Sequence, residues 1–203
     1  MNVLRQQQIQ RAASLEYLTI GYYIVEGIVA LVLGGVSSSV ALIGFGLDSF
    51  VETFSGFVVL RRFREEARGG CADLAEQKAL KLVGWSFYIL AAYIGIDASS
   101  KLIRFERPAS SPYGIGLAIL SLIVMPLLAR RKRLVGRVIH SAALVSDSKQ
   151  TTACAFLSAF LLIGLLLNAT LGWWWADPLG ALGMIPWLIQ EGREALSGEA
   201  CCD

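Results

Sequence analysis

SVALIGFGLDSFVETFSGFVVL, the run from Ser39 to Leu60, is long enough to cross a bilayer as one helix, yet it carries two acids, Asp48 and Glu52, near its middle. About 20 apolar residues rising 1.5 Å each span the hydrocarbon. An ionisable side chain placed there costs about 2.5–3.5 kcal/mol on insertion scales, so a segment that keeps two has a use for them. Spaced i and i+4, the two carboxylates leave the helix on one face. Like charges there repel. A divalent cation bound between them relieves the repulsion, and hard oxygens suit it. A bound proton or a lysine partner would do the same.

Outward from this run the pattern repeats. The chain has 203 residues, of which 55% are hydrophobic and 17% charged, with a mean hydropathy of +0.58. Soluble domains carry about 25% charged residues, so a soluble globular domain and a disordered chain are both excluded. A net charge of +2 and a pI near 8.4 give no reason to expect a nucleic-acid partner. Six apolar segments are predicted, at Leu15 to Gly35, Ser39 to Leu60, Ala79 to Ile103, Tyr113 to Ala129, Val138 to Leu171 and Trp173 to Ile189. A charged loop, Arg61 to Lys78, separates the second from the third, and the block Arg130–Arg133 separates the fourth from the fifth. The expected fold is therefore an all-α membrane protein of six transmembrane helices. Residues 1–14 form an N-terminal segment, 15–194 one membrane domain, and 195–203 a short cysteine-containing tail. The first sixteen residues hold no apolar core of a cleavable signal, so the first span itself directs export.

Basic residues orient the spans. Fourteen of the 18 Lys and Arg fall at the N-terminus, in the second–third and fourth–fifth connections and in the tail. Only Lys101, Arg104 and Arg107 lie on the other side, and Lys149 lies within the fifth span. Both termini are expected in the cytoplasm, in a multi-pass protein of the cell (inner) membrane. Trp173, Trp174 and Trp175 then sit at the outer interface.

The remaining buried polar residues define candidate chemistry. Asp147, Gln150 and Cys154 stand at i, i+3 and i+7, one stripe of the fifth helix. Oxygen, amide and thiolate together suit a borderline ion such as zinc. The alternatives are a buried apolar cysteine and a glutamine that bridges helices. Glu26, mid-span with Tyr22 and Tyr23 a turn earlier, is a candidate proton acceptor, and Lys149 a candidate counter-ion to a buried acid. Asp177-Pro178 reads as the start of the sixth helix. Asp97 lies near the outer end of the third span, and the lone His140 near the entrance of the fifth. Cys201 and Cys202 are a candidate soft-metal capture pair in a reduced cytosolic tail. Cys71 completes the cysteines, and no disulfide framework is expected. No nucleophile elbow, phosphate loop, HExxH or dinucleotide fingerprint is present, so no enzyme is expected.

An internal repeat links the two polar helices. Ser39-Val-Ala41-Leu42-Ile43 returns as Ser141-Ala-Ala143-Leu144-Val145, 102 residues on. The same offset sets Asp48 against Gln150 and Glu52 against Cys154.

With six spans, both termini inside and polar second and fifth helices, the chain resembles the cation diffusion facilitator family. The segment Ser39 to Glu52 is similar to the family's acid or histidine, three residues, acid motif after an apolar lead-in. The resemblance covers Leu15 to Glu194. It implies a homodimeric exporter of zinc or similar divalent cations, driven by proton antiport and working by alternating access. The metal is substrate and no resident cofactor is implied. The family's tetrahedral site would fall on Asp48 and Glu52 from the second helix and on Gln150 and Cys154 from the fifth, with Asp147 as an additional acid one turn earlier. The chain departs from the usual His or Asp, three residues, Asp of the fifth helix. The run Ser146 to Thr151 and the terminal cysteine pair look like a short bacterial subgroup without the family's cytoplasmic domain. The competing reading is a metal-binding membrane scaffold or sensor that transports nothing.

Overall fold

The computed structural model describes residues 3–67, 73–109, 111–139 and 141–197. Six helices account for nearly all of them: α1 Val3–Ser37, α2 Val40–Ala67, α3 Asp73–Arg104, α4 Pro112–Val138, α5 Ala142–Leu171 and α6 Ala176–Ser197. Among the described residues, Gln10–Ser37, Val40–Arg61, Pro112–Val138 and Asp147–Leu171 are apolar and long enough to cross a membrane. The other two helices, of 32 and 22 residues, reach about 48 and 33 Å at 1.5 Å per residue, enough to span the same layer. The protein is an all-α, multi-pass membrane protein.

Helix ends differ from the hydropathy boundaries because caps, not apolarity, stop a helix. The stretch Arg61 to Lys78, expected as a loop, is helix up to Ala67 and again from Asp73; Arg, Glu, Lys and Ala all favour helix. The basic block Arg130–Arg133 lies inside α4, which continues to Val138. Most of the N-terminal segment is the first turns of α1. His140, Cys71, Cys201 and Cys202 lie outside the described residues.

α1 packs along α2 and α4 along α5. Contacts of α2 with α5 and of α1 with α4 close these two hairpins into a four-helix ring. α3 and α6 pack on each other and lean on α2 and α5. Lipid offers apolar groups no gain on helix contact, so close approach and interhelical hydrogen bonds hold such a bundle. The α3–α6 crossing shows the first: a Cβ on Gly84 would stand 2.9 Å from the Gly192 carbonyl oxygen. Outward positions such as Val25, Ile28, Ile123 and Phe156 are exposed, as lipid-facing residues must be.

The repeat extends further than the sequence pattern. Ser39 Oγ accepts from Leu42 N at 3.1 Å and Ser141 Oγ from Leu144 N at 3.4 Å, so both serines cap their helices. Ser39 N donates to Gly34 O at 3.0 Å and Ser141 N to Gly136 O at 2.9 Å. A Cβ on Gly34 would meet Ile43 N at 2.9 Å, and one on Gly136 would meet Val145 N at 3.1 Å. All of these pairs are 102 residues apart. The two turns lie at opposite ends of the bundle, so the hairpins form an inverted repeat.

The end bearing the α1–α2 turn is laced together. Ala109 N donates to Ser37 O at 2.9 Å, Lys101 Nζ to Ser38 O at 2.8 Å and Asn168 Nδ2 to Pro108 O at 3.1 Å. Asp177 lies in the first turn of α6, as expected, and its side chain reaches across to α2. Its carboxylate accepts from Ser39 Oγ and, at 3.0 Å, from Val40 N, where a negative charge complements the helix dipole. The opposite end, where α1 begins and α6 ends, is the terminal end. There Ala12, Val59, Phe63, Ile139 and Leu144 form a small buried apolar cluster.

Candidate metal centre

Inside the four-helix ring a polar column runs along the axis. Glu16, Thr19, Tyr23 and Glu26 occupy one stripe of α1, at i, i+3, i+7 and i+10, and all four are buried. α2 contributes Asp48, Ser49 and Glu52, α4 contributes Ser121 and Lys132, and α5 contributes Asp147, Thr151 and Cys154, all buried. Antiparallel neighbours set the levels: Lys132 and Asp147 meet Glu16, Thr151 meets Tyr23, and Ser121 and Ser49 meet Glu26.

At mid-depth Asp48, Glu52 and Cys154 each offer one ligand atom, and these atoms lie within 4.8 Å of one another. The three residues are 3%, 3% and 1% exposed. Cys154 Sγ stands 3.5 Å from Asp48 Oδ2. Neither oxygen of Glu52 has a hydrogen-bond partner, although buried polar atoms nearly always have one. Ligands of one zinc ion stand about 3.5 Å apart, given bonds of about 2.0 Å to oxygen and 2.3 Å to sulfur. Modest side-chain rotation would therefore bring the three onto a single ion. Three protein ligands leave a tetrahedral ion one open position, the arrangement of an exchangeable rather than a sealed site.

Two other expected ligands are turned elsewhere. Gln150 is half-buried, and its Oε1 accepts from Ser55 Oγ at 2.9 Å, so it bridges α5 to α2. Asp147 is seven residues from Cys154, a rise of about 10 Å, too far to share an ion with it. Its carboxylate binds the Lys132 ammonium. The counter-ion expectation is corrected accordingly: Lys149 is exposed, because it points about 100° away from the buried stripe of its helix. The buried ammonium is Lys132, at 0% exposure.

Glu26 is held by three hydroxyls rather than by a lysine. Tyr22 OH donates to Oε1 at 3.0 Å, Ser121 Oγ donates to the same oxygen, and Ser49 Oγ donates to Oε2 at 3.2 Å. Ser49 is next to Asp48 in sequence, so Glu26 lies one residue away from the three-ligand cluster. Asp97 pairs with Lys101 at 3.6 Å, away from the column.

Sequence reasoning missed Glu16, Ser49, Ser121 and the inward-facing Lys132, and named Tyr23 only as a neighbour of Glu26. The 3.6-residue stripe on α1 carried a signal for Glu16 and Tyr23. Lys132 carried none, hidden among three arginines.

A family model for the cation efflux transmembrane domain matches residues 81–197. A protein named as an uncharacterized transporter of Methanocaldococcus jannaschii is 26% identical over 148 residues, 70% of this chain and 52% of that protein. The magnetosome protein MamB of Magnetospira sp. is 28% identical over 160 residues, 75% of this chain and 54% of MamB. Transmembrane protein 163 of Xenopus laevis is 28% identical over 138 residues, 68% and 49% of the two chains. The chain spans about half the length of these curated relatives. The family model takes in more than half of the residues, and by that match the protein belongs to the cation efflux family, the cation diffusion facilitators.

Proposed function

We propose that this protein is a transporter, not an enzyme, that carries divalent metal cations, zinc first among them, through an alternating-access cycle centred on Asp48, Glu52 and Cys154. One observation carries the reading: three buried ligand atoms of metal-binding type lie within 4.8 Å of one another at mid-depth in the bundle. Transporter folds built from inverted repeats bind substrate near the bilayer midplane, at the repeat interface. The cluster takes two ligands from the first hairpin and one from the second, which fits that rule.

The cycle is a proton-coupled export. Carboxylates and a thiol that lose protons to bind metal regain them when the ion departs, and Glu26 is the proton acceptor nearest the cluster. Lys149 has no part in the coupling, and Asp147 and Gln150 stand outside the ligand set. Both termini face the cytoplasm across the inner membrane, following the basic residues. The working unit is a homodimer, and Cys201 and Cys202 capture soft metal at the cytoplasmic side.

Flux into proteoliposomes tests the reading, with a panel of Zn²⁺, Cd²⁺, Co²⁺ and Mn²⁺ outside and a pH-sensitive dye inside. Metal uptake accompanied by an opposite proton movement is expected. Saturable metal binding without flux would convert the reading to the non-transporting scaffold or sensor.

A further inference from the structure

Between the metal cluster and the terminal end, three ionisable side chains from three helices meet in a buried group. Lys132 of α4 lies 3.2 Å from Glu16 Oε2 of α1 and donates to Asp147 Oδ2 of α5. Lys132 and Glu16 are fully buried and Asp147 is 7% exposed. The same ammonium stands 5.6 Å from the centroid of the Tyr23 ring. The Tyr23 hydroxyl donates to Thr151 at 2.9 Å, one turn before Cys154. Tyr23 is thus the floor between the triad and the cluster, and the apolar cluster around Phe63 and Ile139 is the lid beyond it.

Buried ion groups rarely repay their desolvation in stability, so their retention asks for another reason. Two carboxylates face one ammonium, and neither Glu16 oxygen receives a hydrogen bond. One ammonium is shared between two carboxylates, so it can match only one of them in charge. The repeat supplies an independent comparison. Moved by 102 residues, Glu16, Lys132 and Asp147 correspond to Ala118, Ala30 and Phe45, which are all buried and apolar. Packing that the fold requires would serve equally well apolar at both ends. The triad has no counterpart at the distal end, where the buried Asp177 instead caps α2.

We infer that Lys132 is a tethered cation closing the passage between the metal cluster and the terminal end, occupying the Glu16 and Asp147 carboxylates that the transported cation takes over in transit. The inference rests on the transport reading above. In this conformation the ammonium pins α1, α4 and α5 together under the apolar lid. A divalent ion arriving at the two carboxylates offers them more charge than the lysine does, and it frees the lysine to swing aside.

The test uses the full chain in proteoliposomes with Cys71, Cys201 and Cys202 replaced by Ser, leaving Cys154 as the single thiol. The rate of Cys154 modification by a small charged methanethiosulfonate added to the terminal face is compared among Lys132→Met, Lys132→Arg and the parent. Lys132→Met should raise the rate at least tenfold, and Lys132→Arg should leave it within about twofold. Lys132→Met should also bind two Mn²⁺ per chain in place of one, the second on the vacated carboxylates. Equal rates in Lys132→Met and the parent would overturn the inference. Should Lys132→Met not fold, the triple variant Glu16→Gln, Lys132→Met, Asp147→Asn decides, since it leaves no buried charge uncompensated. Tenfold faster modification in it supports the gate. Parental rates, or failure of this variant to fold as well, would make the triad a structural pin. The transport reading fails separately: absence of a Co²⁺–thiolate absorption band in the parent removes the metal cluster while the labelling contrast still judges the gate.

Discussion

Glu52→Gln separates ligand from scaffold in one measurement. The Glu52 carboxylate is 3% exposed and neither oxygen has a donor. A buried group left without its hydrogen bond costs about 1–3 kcal/mol, more when it is charged. In the metal-free protein the side chain is therefore a liability, and neutralising it should leave the melting temperature unchanged or raise it by a few degrees. Metal reverses the sign of its contribution. A ligand present at 100 times its dissociation constant stabilises the folded state by about 2.7 kcal/mol. For a chain of this size each kcal/mol moves Tm by about 2–4 °C, so saturating Zn²⁺ should raise the wild-type Tm by about 5–10 °C. Glu52→Gln should lose most of that rise. The assay is thermal unfolding in detergent, with and without Zn²⁺, followed by circular dichroism. A variant that retains the full metal-dependent rise would show that Glu52 is not a ligand. A metal-free Tm more than about 5 °C below wild type would show that its role is structural.

Cys154→Ser should weaken Zn²⁺ and Cd²⁺ binding at least tenfold and Mn²⁺ binding little, since thiolate selects softer ions; equal losses for all three metals, read by competition titration, would return Cys154 to core packing. Asp177→Ala removes the acceptor of Ser39 Oγ and Val40 N, and should cost about 0.5–2 kcal/mol as a lost helix cap, seen as a lower Tm with metal selectivity intact. Gly136→Ala should destabilise by about 1–3 kcal/mol, because its Cβ would press on Val145 N at 3.1 Å; Gly35→Ala, with nothing within 4 Å of its Cβ, is the matched control and should melt within a degree or two of wild type.

Much of this architecture was legible because a bilayer simplifies the problem. Apolar runs had to be helices, and acids inside them had to face inward. That logic alone singles out Asp48 and Glu52, which lie buried beside Cys154 in the column. Cys154 came from helical spacing and from the 102-residue offset to Glu52. What was not legible depended on contacts between helices distant in sequence. Asp147 and Cys154 share a face, but a face says nothing about depth, and seven residues of rise put them on different levels. Lys132 was read as one of a row of charges outside the membrane, because hydropathy ends there. The helix does not end there, and its rotation turns Lys132 inward while Arg130 and Arg131 stay exposed. Asp177 does stand at the start of α6, but the helix whose amide it caps is α2, a contact between segments 137 residues apart that no local reading shows.

The inverted repeat bears directly on how an ion could leave so enclosed a site. All three candidate ligands are buried, and apolar side chains pack around the column. Each hairpin is tied by a tight turn whose glycine admits no side chain, Gly34 in one and Gly136 in the other. Helices joined so closely would move as pairs in the proposed cycle, because sliding α1 against α2 would drive the Gly34 backbone into Ile43. In the proposed cycle the movement would fall between pairs, at the α2–α5 and α1–α4 seams, and the candidate ligands straddle the first of these. Asp48 and Glu52 belong to one hairpin and Cys154 to the other, so parting the pairs opens the column and separates the ligands in the same movement. At the distal end the parting meets apolar residues such as Phe45, Ala30 and Ala118, and at the terminal end it meets the Lys132 ion triad. The first would resist through packing and through the hydrogen bonds that lace that end, which any opening must break. The second would resist through charge, which on the proposed reading an arriving cation replaces.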